Sequence, residues 1–511
     1  SETKHETKTT LVSNGIKDET SSQQVLSNVN LNSAILILIL VVTLTNFLCL
    51  QRIESNHIST LEESSVVKDD INERRSKPKV WIQGQKMELG YLKHVFEVFE
   101  RVGYHRVNGS VEDWDVLWAH EYPFTKGFFK TLKAHQKVNH FPGSGFITNK
   151  VQLATSDLRG IPKAFNLPKG KEKFLIYAKE NPALLWVQKS KNHRGVKVGN
   201  TSDIDLDRAG TFVQQFIQNP LLIDGKKFDV GIYVILTSIK PLRVYKYNSD
   251  MLFRFCAKKY EPFNAEDIDS YVVGDDYTPI WEMPSLRKYF VDLNMNMKQS
   301  FEAYMRSIGK DAELVWRQID ESITSVYVAK ETQMSHLSLA FNTTRHFFEL
   351  VRFDYLIDEN LNVYLMEVNM SPNLSSLHFA PNKLLYEQVI FNLLSLVGLT
   401  RTLDFHTWAT YPSSLWNMRI SNKDLSVHEA ICASDECHLS CRSDKCKVCL
   451  YCMDSETIVI LKEASLEHFS RWNCKRLIPS TDENAQHPSG TINELHRLWF
   501  VGKCLHDEQW C

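Results

Sequence analysis

Residues 348 to 374, FELVRFDYLIDENLNVYLMEVNMSPNL, constrain the fold more than any other stretch of this chain. Phe353, Tyr355 and Ile357 alternate with Asp354, Leu356 and Asp358; DEN then turns the chain, and Val363, Leu365 and Glu367 fall on one face of a second run. Period-two alternation on both sides of a short polar turn predicts an antiparallel β-hairpin. Pairing the two strands brings Asp354 near Glu367 and Asn369, three side chains with hard oxygen donors of the kind that bind Mg²⁺. The plainer reading is a hairpin whose polar residues face water.

The length of 511 residues allows two to four domains, and the apolar and charged fractions are those of a globular protein. Lysine and arginine (59) nearly balance aspartate and glutamate (61), for a net charge of −2. That balance carries no electrostatic footprint of a nucleic-acid binder, so an anionic partner has to be met by a local patch. Residues 1 to 33 are Ser-, Thr-, Asn-, Lys- and Glu-rich without periodicity, as expected of a disordered tail. Ala34 to Leu50 is uncharged and apolar, close to the roughly 20 residues that cross a bilayer, and reads as one transmembrane helix. Lys17 and Arg52 leave its orientation undecided by flanking charge. Residues 51 to 78 read as a polar stalk. Sequons stand at Asn108, Asn200, Asn342 and Asn373.

From residue 79 strand and helix patterns alternate. VWIQG is strand-like, and Leu89, Leu92, Val95, Phe96 and Phe99 recur at helical spacing across Met87 to Val102. NHFPG has turn chemistry, and Lys150 stands at the mouth of the next helical stretch. From Phe174 the pattern becomes strand-dominated. LLWVQKS runs into a polar loop whose Lys189, Lys191, His193, Arg194 and Gly195 could cradle polyphosphate or form a basic surface turn. Lys227, Asp229 and Arg254 fall on adjacent strands, where cross-strand ion pairing is the simpler alternative. Leu385, Val389, Leu393 and Leu394 mark a closing amphipathic helix.

The succession WVQKS, RG, QQFIQNPLLIDGKKFDVGIYV, LRVYKYNSDMLFRF and FELVRFDYLIDENLNVYLMEVNMSPNL resembles the tubulin tyrosine ligase-like family, ATP-grasp amino-acid ligases that include tubulin polyglutamylases. The resemblance covers about residues 80 to 400. It implies an α+β ATP-grasp fold over 79–400, with an N-terminal subdomain to about 165 and central and C-terminal subdomains from about 166. It also implies ATP and Mg²⁺ as cofactors, glutamate as the added amino acid and tubulin or microtubules as partner, hence a cytosol-facing, cytoskeleton-associated ligase region, which the 34–50 run would tether to a membrane. By motif match, Lys150, Lys189, Arg194 and Gly195 would hold the ATP phosphates. Gln214, Phe216 and Ile217 would line the adenine pocket, and Lys227 and Asp229 would face nucleotide and ribose. Asp354, Glu367 and Asn369 would hold Mg²⁺, while Arg254 would meet phosphate or the substrate carboxylate and join Lys227 at the reacting groups.

The chain departs from the pattern at identifiable points. KFDVG has Gly231 where the family usually has an arginine, and Arg352 stands where a glycine usually precedes the first metal aspartate by two. The phosphate loop is reduced to RGVKV. Loss of one transition-state donor costs about a hundredfold to a thousandfold. Either a neighbouring basic group such as Arg352 compensates, or the chain is an impaired ATP-grasp scaffold that binds microtubules. A ligase facing the lumen, with another acceptor, is the further alternative.

Residues 401 to 511 lie outside the resemblance and hold nine of the eleven cysteines. Cys432, Cys437, Cys441, Cys446, Cys449 and Cys452 are closely spaced, and CKVCLYC contains overlapping C-x-x-C pairs. In a reducing compartment these suit structural Zn²⁺, with His428 or His438 as further ligands. In an oxidising one they read as a disulfide-stapled module.

Overall fold

The computed structural model describes residues 77–511 apart from 86, 88–89, 111–112, 126–128, 130, 191–195 and 401–416. The tail, the apolar 34–50 run and the stalk to residue 76 therefore lie outside the described residues, as do Arg194 and Gly195 of the phosphate loop. Among the described residues no helix is long and apolar enough to cross a membrane.

Three sheets are built in chain order. The first contains β1 (Lys79–Gln83), β2 (His105–Arg106), β3 (Val116–Ala119) and β4 (Lys137–Val138), parallel in the order β2-β1-β3-β4. Helix α1 (Lys93–Arg101) links β1 to β2 and buries Val95, Val98 and Phe99 at helical spacing. It starts later than the Met87–Val102 pattern predicts, because Gly90 takes a positive φ of 78° and turns the chain first.

Further on, α2 (Lys150–Ala154) is capped by Asn149, whose Oδ1 accepts from the Val151 and Gln152 amides at 3.1 Å. The second sheet then combines β5 (Ala164–Leu167), β6 (Trp186–Ser190), β7 (Lys197–Gly199) and β8 (Thr211–Gln215) in the order β5-β8-β6-β7, all antiparallel. Between β5 and β6 lies α3 (Lys171–Glu180), a helix in a stretch that the sequence reads as mainly strand. Its Phe174 and Ala178 complete a core with Phe165, Trp186 and Val213.

The third sheet is organised on β9 (Phe228–Ile239), whose residues are almost all buried, as expected for a strand covered on both faces. One edge of β9 pairs first with β11 (Leu252–Phe255) and then with β10 (Leu242–Tyr247); β12 (Thr278–Pro279) extends β11. Its other edge carries β13 (Glu349–Ile357), which pairs with β14 (Val363–Met370) in the predicted hairpin. The turn is held by Asp358 Oδ1, which accepts from Asn360 N at 2.9 Å and Asn362 N at 2.8 Å. Before the hairpin, α4 (Glu313–Ser338) presents Tyr327 to Phe353, their rings 6.0 Å apart, so Arg352 and Asp354 project to the opposite face. Every residue of β13 is buried, whereas β14 keeps Tyr364, Met366, Glu367, Asn369 and Met370 half-exposed, so only the second strand of the hairpin has a wet side. Helix α5 (Asn382–Leu396) is the expected closing helix and packs on α1, with Arg101 Nη2 on Glu387 at 2.7 Å.

The C-terminal region also builds into this sheet. Following α6 (Ser455–Phe469), β15 (Cys474–Ile478) pairs with β10 and forms a sheet edge. Glu467 on α6 accepts from Arg243 Nε and Nη2 at 2.9 and 3.0 Å, and from Thr237 and Tyr245 hydroxyls at 2.9 and 3.2 Å. Asn493 on α7 (Thr491–His506) accepts from the Leu242 amide at 2.9 Å and donates to Glu331 at 2.6 Å. These buried bonds tie the region to β10 and α4.

The zinc expectation is corrected. Cys432–Cys449, Cys437–Cys446, Cys441–Cys452 and Cys504–Cys511 are disulfides, with Cα–Cα separations of 5.4, 5.2, 5.5 and 5.3 Å. A bonded sulfur has no thiolate pair to offer a metal. Neither histidine joins the cluster as a ligand: His428 Nε2 hydrogen-bonds the Leu498 carbonyl at 3.0 Å, and His438 stacks on Tyr451. Among the described residues Cys256 and Cys474 are the free thiols, both buried.

His468 gives this region a pH dependence. Its Nδ1 accepts from Arg476 Nη1 at 3.1 Å, its Nε2–H donates to the Trp510 carbonyl, and its ring stacks on the Trp510 indole. Burial, reinforced by Arg471 and Arg476, lowers its pKa from 6.5 to about 3. The neutral ring is kept in the fold while the unfolded chain takes up a proton below pH 6.5, so this contribution is fully present above 6.5 and is lost as pH falls towards 3. Melting temperature followed from pH 7 to 4 should fall for the native protein. His468→Gln should flatten that slope by up to one group's share, about 1.4 kcal/mol per pH unit.

Candidate active site

The site is assembled from α2, the second sheet and the third sheet. Register places Asp354 on β13 opposite Glu367 on β14 and opposite Gly231 on β9, while Arg352 is paired with Asn369 and Tyr233. Asp229 on β9 stands opposite Arg254 on β11. Because side chains repeat every second residue along a strand, these positions share one face of the sheet.

Asp354 is the centre of the polar network. Arg352 grips it in a fork, Nε to Oδ1 at 2.6 Å and Nη2 to Oδ2 at 2.8 Å. Arg254 Nη2 reaches the same Oδ2 at 3.0 Å, and Asn369 Nδ2 reaches it at 2.8 Å. Arg254 also forks onto Asp229 at 2.9 and 2.8 Å, the cross-strand ion pair that adjacent strands allow. Burial, with Asp354 beside it and Arg254 opposing, raises the Asp229 pKa to about 6.

Glu367 closes the other side. Lys150 Nζ donates to its Oε2 at 2.7 Å and Asn369 Nδ2 to its Oε1 at 3.1 Å. Burial would raise its pKa, but Lys150, Asn369 and Lys189 outweigh burial and hold it at about 2. The amide of Asn369 thus bridges the two carboxylates. The donor types fit Mg²⁺, since two carboxylates are the oxygen ligands a hard cation takes and the Asn369 amide, whose NH₂ faces both of them here, adds its carbonyl when turned over. Asp354, Glu367 and Asn369 would hold it.

Lys189 donates to Gln214 Oε1 at 2.8 Å, and Gln214 Nε2 to the Pro162 carbonyl at 3.2 Å. Burial lowers the Lys189 pKa to about 8; Glu367 opposes this, while Lys150 and Lys227 reinforce it. The three ammonium groups therefore feel one another across the cleft, a fit for polyphosphate. Lys227 donates to the Tyr271 carbonyl at 2.9 Å and lies 5.1 Å from the Phe216 ring centroid. Phe216 packs against Phe263 and Tyr271 at 5.4 and 5.8 Å, and Ile217 beside it is buried, which makes an apolar slot next to the lysines. Lys150, Lys189, Lys227, Arg254 and Arg352 exceed Asp229, Asp354 and Glu367 by two charges, complementary to a polyanion.

The structure joins Lys150, Asp229, Arg254, Asp354, Glu367 and Asn369 in one hydrogen-bonded network, with Lys189 bonded to Gln214 and Lys227 beside Phe216. Arg352, which the sequence offered as the basic group that could compensate for Gly231, is at the centre of the network. One pair was missed. Asn139 and His140 of NHFPG, read as a turn, are buried connectors: Asn139 exchanges two hydrogen bonds with Ala119 at 2.7 and 2.9 Å, and His140 Nδ1 meets Glu349 at 3.0 Å. Their only sequence signal is paired polar residues among apolar ones.

Comparison with known proteins agrees with this architecture. The profile of the Tubulin-tyrosine ligase family matches residues 129–404. The chain belongs to that family. The "Probable tubulin polyglutamylase ttll-15" of Caenorhabditis elegans is 44% identical over 438 residues, which cover 84% of this chain and 85% of that protein. Mouse "Tubulin polyglutamylase TTLL5" is 31% identical over 326 residues, and mouse "Tubulin monoglutamylase TTLL4" 27% over 319. Each alignment spans 57% of this chain but only 24% and 26% of those proteins. The nematode relative also covers chain beyond the 129–404 match.

Lys189→Ala should weaken binding of a non-hydrolysable ATP analogue by roughly ten- to a hundredfold, the value of a charge-assisted hydrogen bond. Titration calorimetry on a variant with native melting temperature checks this.

Proposed function

We propose that the chain is an ATP-dependent carbon–nitrogen ligase that adds glutamate to glutamate side chains of an acidic polypeptide, with tubulin tails as the first acceptor to test. The convergence of Lys150, Lys189 and Lys227 on the Asp354, Glu367 and Asn369 end of one cleft supports the reading. The names of the relatives, polyglutamylases and a monoglutamylase of tubulin, supply the acceptor and the amino acid.

In this reaction an acceptor carboxylate oxygen attacks the γ-phosphorus, and the bond to the β-phosphate oxygen breaks to release ADP. The amine nitrogen of incoming glutamate then attacks the acyl carbon. Phosphate leaves, the nitrogen loses a proton, and an isopeptide bond remains. Negative charge moves but no protein nucleophile is required, so fixed cations do most of the work. Lys150 and Lys189 bind phosphates, Phe216 and Ile217 take the adenine, and Lys227 and Asp229 face the nucleotide. Arg254 exchanges a carboxylate of the protein for one of substrate or for phosphate. Asp354, Glu367 and Asn369 would hold Mg²⁺, which would supply charge neutralisation when bound.

The disulfides favour a second reading of where this happens. Disulfide-dense modules belong to oxidising compartments, and the sequon residues Asn108, Asn200, Asn342 and Asn373 are all exposed. The 34–50 run would then anchor a ligase facing the lumen with a different acidic acceptor, in place of one facing the cytosol and microtubules.

Purified protein incubated with ATP, Mg²⁺, labelled glutamate and tubulin should incorporate label, and Glu367→Gln should lower the rate about a hundredfold or more. Nucleotide retention without incorporation would mark a scaffold. A shift in gel mobility on endoglycosidase treatment, lost in Asn108→Gln and Asn200→Gln, would place the body in the lumen.

A further inference from the structure

We propose that the cavity between the ligase sheet and α6 is a binding site for a small organic oxyanion, a carboxylate or phosphodiester carried on an apolar body. It lies outside the candidate active site and stands whether or not that site binds ATP.

The cavity measures about 450 Å³, a size that holds small organic ligands. Its walls come from β4, the β9–β10 turn, the chain between α4 and β13, the end of α5, and α6. Thr237 and Ser238 line it from the far half of β9, about 20 Å along the strand from Gly231 at ~3.3 Å per residue.

Charge is the first observation. Arg243 is forked onto Glu467 at 2.9 and 3.0 Å, and Arg345 Nε meets Glu463 at 3.2 Å, so each of these guanidiniums has its own carboxylate. Lys137, half-buried in the same wall, has none. Its Nζ donates to the Arg345 carbonyl at 2.8 Å, and no carboxylate of a described residue forms an ion pair with it. Burial lowers its pKa; Glu463 and Glu467 oppose this while Arg243 and Arg345 reinforce it, so the five groups act on one another across one space. Lys240 and Glu456, the remaining charged residues of the lining, are exposed and cancel. The cavity is left with one positive charge in excess, and a charge held largely away from water is costly until a counter-ion joins it.

An unmet donor is the second observation. Arg243 is 4% exposed, and its Nη1 is buried without a hydrogen-bond partner. Buried guanidinium nitrogens are ordinarily bonded. The third is apolar surface. Phe341, Leu396, Ile460 and Leu466 line the same cavity, and a bare inorganic ion would meet the ammonium but leave these side chains against water. A monoanionic head on an apolar body meets the charge and the apolar wall together. Such a ligand touches β9, β10 and α6 at once, so its binding stabilises the join between the ligase sheet and the disulfide-bearing region.

Titration calorimetry and melting curves of the full chain at constant ionic strength test this with octanoate, dibutyl phosphate and acetate. Octanoate or dibutyl phosphate should bind and raise the melting temperature, and the tighter of the two identifies the head group. Acetate should bind at least about tenfold more weakly than octanoate, because it lacks the methylenes that the apolar wall buries. Lys137→Met should lose at least about tenfold in affinity, whereas Lys137→Arg should keep most of it. Ser335→Trp, which fills the cavity, should abolish binding. All three variants should bind a non-hydrolysable ATP analogue as the native protein does. The proposal is overturned if the native protein binds neither octanoate nor dibutyl phosphate, if folded Lys137→Met binds them as tightly as native, or if acetate binds as tightly as octanoate. Should the Lys137 variants fail to fold, full affinity in folded Ser335→Trp overturns it in their place. A native protein that binds octanoate but no ATP analogue overturns the active-site reading and leaves this one standing.

Discussion

The buried carboxylate of Asp354 is the group on which the site depends. It receives four hydrogen bonds from three side chains on three strands, Arg352 in the same strand, Arg254 across β9, and Asn369 across the hairpin. A carboxylate taken out of water is tolerated only when its lone pairs are met in this way. The consequence is geometric as well as energetic. Strands β11, β9, β13 and β14 are held in one register by charges as well as by backbone ladders, so the two edges of the cleft cannot slip independently. Asp229 extends the same logic, since Arg254 serves both aspartates and its removal would leave two buried carboxylates short of a partner.

How far this was legible in the sequence depends on whether the signal was local. The hairpin was legible because alternation and a DEN turn specify it within one window, and Asp358 capping that turn is local chemistry. The closing helix at Leu385 to Leu394 was legible for the same reason. Candidate residues Lys189, Gln214, Lys227, Asp354 and Glu367 were named through ordered motifs, since they lie on separate elements and no spacing rule brings them together. What failed was non-local. Helix α3 went unseen beside strand-like runs because its amphipathicity is weak: only Phe174 and Ala178 are buried. Full burial of β13 depends on α4 covering one face and the cleft network the other, neither of which the alternation encodes. The same holds for Asn139 and His140, whose partners Ala119 and Glu349 are distant in sequence.

The cysteines show a related ambiguity. C-x-x-C spacing permits zinc or disulfides, and only the three-dimensional pairing separates them: Cys449 joins Cys432, Cys446 joins Cys437, and Cys452 joins Cys441, so no C-x-x-C pair closes on itself. A zinc site would have drawn neighbouring thiolates onto one centre.

The disulfide region cannot be treated as an appendage to the ligase sheet. Arg243 and Tyr245 on β10 give their buried polar atoms to Glu467 on α6, and β15 pairs along β10, which itself pairs with the second half of β9. The first half of β9 carries Asp229 and Gly231 into the cleft. One continuous strand therefore connects the stapled region to the site, through contacts whose loss would strand a buried carboxylate and a buried guanidinium. The disulfides belong to that same region, since Cys504 shares α7 with Asn493, whose side chain bonds the Leu242 amide of β10.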